Sequence, residues 1–143
     1  MKMSCKYCGI VEKPHNCPKA IKRKTNRTRT DKKHYESKSY KKNRKRVLND
    51  YDNLCLWSLY IVGRVEVAEE THHIIEILED ETKAEDYNNL IPLTIKSHDI
   101  VHEYYNRGGI VKEKVQELLR LMLNDYKRGD ITLKKYRDYL NRL

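Results

Sequence analysis

At 143 residues, 38% hydrophobic and 36% charged, the chain has room for one modest domain with appendages, or two very small ones, around a thin core. The formal charge of +9 is concentrated: Lys19 to Arg46 holds 14 Lys or Arg against Asp31 and Glu36, while the remainder holds 16 basic against 19 acidic residues. No stretch approaches the roughly 18–20 apolar residues of a membrane span, and Met1-Lys2-Met3-Ser4-Cys5 lacks the apolar run of a secretory leader, so no membrane partner and a cytoplasmic location are expected.

Residues 1–18 carry Cys5-Lys6-Tyr7-Cys8, then His15 and Cys17. In a reducing compartment such close spacing argues for metal ligation rather than disulfides. Cys5, Cys8, His15 and Cys17 have the donor types and reach for a small structural zinc knuckle, and a segment this polar has little reason to fold without an ion. The His15-x-Cys17 step is tight, which leaves open a three-cysteine site with a different fourth ligand.

Residues 19–34 are polar and basic with no apolar period, which predicts an extended arm. Tyr35 to about Asp50 has helical spacing, capped by Ser37 or Ser39, with Tyr40, Val47 and Tyr51 toward one face. Lys22, Arg23, Lys24, Arg27 and Arg29 on the arm, and Lys41, Lys42, Arg44, Lys45 and Arg46 on the helix, are candidate contacts to a nucleic-acid backbone; a solvated tail is the alternative for such a charge run. Leu54 to Ala68 is apolar and β-branched around Gly63, as in a hairpin or strand pair. Glu66 to Ile77 follows as a strand bearing two histidines, then an acidic loop from Glu79 to Asp86 that ends at Asn88-Asn89. Leu90 to Leu93 predicts a short edge strand because of Pro92, and Ile95 to about Asn106 a helix stopped by Gly108-Gly109. Val111, Val115, Leu118, Leu119, Met122 and Tyr126 share one helical face, and after Arg128-Gly129-Asp130 a last helix is expected over Thr132 to Leu143.

Four of the six histidines fall between positions 72 and 102. His98 and His102 are four apart on a predicted helix and project from one face, so both can ligate one ion. His72 and His73 are adjacent on a strand and point to opposite sides. A strand, a loop asparagine and a helix that gather imidazoles make a plausible divalent-metal site.

The strings Glu70-Thr71-His72-His73-Ile74-Ile75, Asn88-Asn89-Leu90-Ile91-Pro92-Leu93 and Ser97-His98-Asp99-Ile100-Val101-His102 resemble the motif of the HNH endonuclease family, and most of all its short bacteriophage and prophage members. That resemblance implies an α+β fold, a small ββα-metal nuclease core over 51–107, with the Cys/His knuckle at 1–18, a basic arm and helix over 19–50 and a C-terminal helical extension over 108–143. It implies His73 as the general base, His72, His98 and His102 as ligands of one catalytic divalent ion, and Asn89 as the brace that orients the base, with Asn88 as the alternative if the register shifts by one. The three-imidazole set is similar to that of the bacterial colicin nucleases; other members carry Asp in place of His72, and Mg²⁺, Mn²⁺, Ni²⁺ and Zn²⁺ are not distinguished. Arg64 and Arg107 are candidates beside the leaving group, each alternatively a phosphate contact or a surface residue.

Many family members also hold a structural zinc between two Cys-x-x-Cys pairs. The matching positions here are Cys55, Ser58, Thr94 and Ser97, so thiolate coordination is incomplete, Cys55 is expected as a small buried hydrophobe, and the C-terminal helices are expected to supply the lost support. The implied activity is metal-dependent phosphodiester hydrolysis on DNA by an enzyme of a phage or mobile element, in a bacterial cytoplasm, with a packaging or other phage protein as a partner by family analogy. The alternatives are a catalytically weak relative that serves as a DNA-binding accessory in packaging, and a zinc-knuckle regulator, which leaves the histidines unexplained.

Overall fold

The computed structural model describes residues 1–16 and 29–143. Cys17, Lys22, Arg23, Lys24 and Arg27 lie outside them, as does the Arg29 side chain. The chain opens with an antiparallel hairpin, β1 (Lys2–Cys5) and β2 (Gly9–Glu12), in which Cys5 pairs with Gly9. A short helix α1 (Arg29–Glu36) then leads into α2 (Lys38–Asp50). The arm expected to be extended through residue 34 is thus helical from Arg29. The anchoring of His34 Nε2 on Glu81 at 2.9 Å gives a short helix the tertiary support that it lacks alone, and the exposed Lys32–Glu36 pair adds a local i,i+4 contact. Ser37 caps α2, accepting from the Tyr40 N–H at 3.0 Å, and Tyr40, Val47 and Tyr51 are buried, the face expected from their spacing.

Residues 54–68 depart from the expected strand pair. A single bridge joins Leu54 to Val67, and between them the chain makes a π-helical turn over Ser58–Val62, closed by Gly63 at φ +80° with its N–H on the Ser58 carbonyl at 2.7 Å. Cys55 through Ile61 are buried one after another, while the β-branched Val62, Val65 and Val67 that suggested a strand face solvent. A run buried on every side carries no period that separates helix from strand.

The central hairpin is β3 (Glu70–His73) with β4 (Leu90–Leu93), registered Glu70–Leu93, Thr71–Pro92, His72–Ile91 and His73–Leu90. The expected strand over 66–77 shortens to these four residues. In a two-stranded sheet both strands are edges, which suits Pro92. Thr94 caps α3 (Ile95–Asn106), its hydroxyl accepting from the Ser97 N–H at 3.0 Å. After Gly108, α4 (Gly109–Lys127) packs on α3 and places Val115, Leu118, Leu119 and Met122 fully in the core.

Of the helix expected over 132–143, only α5 (Arg137–Leu140) forms. Lys134 sits at φ +61°, a left-handed conformation that interrupts a helix started at Thr132. Longer-range bonds hold the segment instead: the N–H groups of Lys134 and Tyr136 donate to the carbonyls of Leu59 and Tyr60 at 3.1 and 2.9 Å. The architecture is α+β, with the β3–β4 hairpin and α3 in ββα order. Among the described residues no helix is long and apolar enough to cross a membrane.

Cys55, Ser58, Thr94 and Ser97 meet in the core despite the missing thiols. Cys55 Sγ lies 3.4 Å from Ser97 Oγ and 3.8 Å from Thr94 Oγ1, the two hydroxyls are 2.9 Å apart, and the Ser58 N–H donates to Cys55 Sγ at 3.4 Å. Cys55 is fully buried, but as a member of a hydrogen-bonded cluster rather than as a plain apolar filler.

Candidate functional site

The period of β3 divides its residues between two faces. Glu70 and His72 look toward α3, and Thr71 and His73 toward α2. On the first face the His72 ring meets those of His98 and His102 at centroid distances of 5.0 and 5.1 Å, and one donor nitrogen from each of the three lies within 4.8 Å of the others. On the second, Tyr40 stacks on the His73 ring at 5.5 Å, its hydroxyl 3.3 Å from Thr71 Oγ1, and Tyr35 of α1 meets the same ring edge-on at 5.6 Å. The two histidines point to opposite sides as expected, yet both line one cavity of about 250 Å³ with Tyr35, Glu76, His98 and His102, because the strand ends at His73 and the chain turns over it.

His72 is 2% exposed, and its buried Nε2 has no hydrogen-bond partner. Burial first, then the neighbouring His98 and His102, hold its pKa well below the ordinary imidazole range, so it stays neutral and keeps a lone pair. His102 is lowered too, by burial and by His98. His98 and His102 approach each other through their Nε2 atoms at 3.0 Å, while their Nδ1 atoms face carboxylates: Glu70 Oε2 lies 2.5 Å from His98 and Glu76 Oε1 3.7 Å from His102. An orphaned buried imidazole nitrogen beside two more, each backed by a carboxylate, fits a divalent ion of the borderline class.

His73 is oriented by the backbone. Its Nε2 bonds the carbonyl of Ala84 at 2.8 Å; an imidazole bonded to a carbonyl carries the proton there, which makes Nδ1 the acceptor nitrogen. Asn89 works on the same loop. Its Oδ1 accepts from the Ile75 N–H at 2.8 Å, and its Nδ2 donates to the Ile75 and Lys83 carbonyls at 2.9 and 3.2 Å. Lys83 precedes Ala84, so Asn89 ties the turn after β3 to the segment that carries the His73 acceptor. Asn89 is buried whereas Asn88 is exposed, so the inward-facing asparagine is Asn89. The preceding carbonyl, Ile74, takes bonds from Tyr105 Oη of α3 at 2.7 Å and Gln116 Nε2 of α4 at 3.1 Å.

The other sequence candidates are dispersed. Lys41, Lys42 and Lys45 are exposed on α2, but Arg44 donates to the Glu69 carbonyl at 3.1 Å, and Arg46 pairs with Asp50 at 3.8 Å and covers the Tyr87 ring at 4.4 Å. Arg64 and Arg107 are not among the residues that line the cavity. Cys5, Cys8 and His15 bring their donor atoms within 4.8 Å of one another. Sequence reasoning missed the roles of Glu70, Glu76 and Lys112. The signal for Glu70 was present, since it shares a strand face with His72; Glu76 is joined by Lys112 of α4 at 2.8 Å, a contact that only tertiary structure makes.

No family model matches the chain, and no curated protein matches it significantly. Among solved structures it is similar to the crystal structure of the HNH endonuclease of deep-sea thermophilic bacteriophage GVE2 with manganese ion, at 28% identity and a TM-score of 0.49 over 55% of this chain and 85% of that one. Within this chain the order is histidine-bearing strand, asparagine loop, then helix with two histidines, the order on which the sequence resemblance rests.

Proposed function

We propose that the chain is a metal-dependent DNA endonuclease of the HNH type. The observation that carries this reading is the convergence of three imidazoles, two of them backed by carboxylates, and a separately oriented fourth on one cavity. His72, His98 and His102 would hold a divalent ion, whose chemistry when bound is to polarise a phosphodiester and neutralise charge on the leaving oxygen. Glu70 and Glu76 orient two of those rings through Nδ1.

His73 is the general base in this scheme. With Nε2–H committed to Ala84, Nδ1 takes the proton as water oxygen attacks phosphorus and the P–O3′ bond breaks. Tyr40 and Tyr35 fix the plane of the ring, and Asn89 holds the loop that presents the Ala84 carbonyl; neither Asn89 nor the tyrosines exchange a proton. The basic arm and the exposed Lys41, Lys42 and Lys45 supply affinity for the phosphate backbone without reading sequence. The family analogy adds a phage or mobile-element setting, and with it a packaging or other phage protein as a partner.

The test is cleavage of supercoiled plasmid by the purified chain with Mg²⁺, Mn²⁺, Ni²⁺ or Zn²⁺. Nicking that appears with at least one of these ions and stops with chelator supports the proposal. Binding of DNA without cleavage in any of the four contradicts it and points to a packaging accessory.

A further inference from the structure

We propose that the N-terminal hairpin is a second metal centre, a zinc knuckle with Cys5, Cys8 and His15 as ligands, chemically distinct from the three-histidine site. Cys5 ends β1, and Cys8 stands at the far side of the turn, just before Gly9 at φ +79°. That left-handed glycine lets β2 start directly behind the second cysteine. The chain then returns past the strands, with the Lys13 N–H on the Met1 carbonyl at 2.9 Å, and brings His15 over the turn. The result is two sulfurs and an imidazole nitrogen all within 4.8 Å of one another.

A second observation points to an ion in that space. His15 Nε2 is buried and has no hydrogen-bond partner, an arrangement that is costly when nothing satisfies the atom. The hairpin has no apolar reason to hold such a nitrogen. Met1, Tyr7 and Ile10 are exposed, with Ile10 at 77%, and an isolated two-stranded hairpin is marginal in water. A metal bound by residues from both ends of the segment supplies the missing folding energy.

The donor types choose the metal. Two thiolates with an imidazole favour Zn²⁺ over the hard Mg²⁺ and Mn²⁺. Binding releases the thiol protons of the ligating cysteines to solvent and leaves oxidation states unchanged.

The test is titration of the reduced, metal-free full chain with Co²⁺, followed by absorption. A thiolate-to-cobalt charge-transfer band in the near ultraviolet, with tetrahedral visible bands and displacement by Zn²⁺, is expected in the wild type. It is expected to persist in His72→Ala and Cys55→Ser and to vanish in Cys5→Ser/Cys8→Ser, whose circular dichroism in metal-free buffer matches the wild type. A wild type with no thiolate band overturns the proposal without recourse to any variant, and so does a band that survives Cys5→Ser/Cys8→Ser.

Discussion

Asn89 clasps Ile75 from both sides, its Oδ1 accepting the Ile75 N–H at 2.8 Å and its Nδ2 donating to the Ile75 carbonyl at 2.9 Å. A third bond, from the same Nδ2 to the Lys83 carbonyl, makes one side chain the knot between the turn after the histidine strand and the loop that orients His73. Asn89→Ala removes all three. Cleavage is expected to fall by about 100-fold, the order of loss for a catalytic group displaced by an ångström, while metal affinity at the three histidines changes little. The split between turnover and calorimetric metal binding checks this; equal losses in both would show that Asn89 supports the whole site rather than the base.

Glu70 is predicted to tune the metal. It backs His98 Nδ1 at 2.5 Å, and carboxylates in that position typically contribute 10- to 100-fold to affinity. Glu70→Gln should weaken Mn²⁺ or Zn²⁺ binding by about that factor, measured by titration calorimetry on the folded protein. An unchanged dissociation constant would leave Glu70 a surface ion pair.

Cys55, Thr94 and Ser97 bring a thiol and two hydroxyls together in the core. Thr94→Ala removes both the α3 cap and a member of that cluster, and should cost about 1 kcal/mol in denaturant unfolding. With Cys55→Ala the losses should depart from additivity by at least about 0.5 kcal/mol, as for partners in one network. Strict additivity would mean that the cluster is a set of unrelated contacts.

The C-terminal segment should make the protein acid-sensitive. Burial alone would raise the Asp125 pKa, but bonds from Tyr136, Lys135 and Arg128 outweigh it and hold the carboxyl below its ordinary value. A depressed carboxylate contributes stability that is complete above its unfolded pKa of about 4 and disappears as pH falls through the native value. Thermal melts should therefore show Asp125→Asn less stable than wild type at pH 7, with the two converging toward pH 3. Parallel curves would contradict the assignment.

Elements with chemical punctuation were legible in the sequence. Thr94 before α3, Gly108 after it, Ser37 before α2 and the apolar face of α4 each left a mark that local physics reads. Cys55 to Ile61 did not, because a segment buried on all sides loses its period. The start of α1 was hidden as well, since its support comes from Glu81, far along the chain. Within the site, His98 and His102 could be paired from their spacing, Asn89 entered only through the family resemblance, and Glu70 was within reach of the two-residue period of β3. The Ala84 carbonyl was not: a backbone group has no residue signature, and its place depends on how the acidic loop folds. The contribution of Gln116 to the Ile74 turn was equally invisible, though α4 itself was expected.

In the proposed scheme His73 moves the proton while His72, His98 and His102 hold the ion. His73→Ala tests it most directly when plasmid nicking and metal binding are measured on the same preparation. Cleavage is expected to fall by at least about 100-fold, within the range for removal of a general base, with metal affinity retained within a few-fold. Nicking by His73→Ala at the wild-type rate would contradict it.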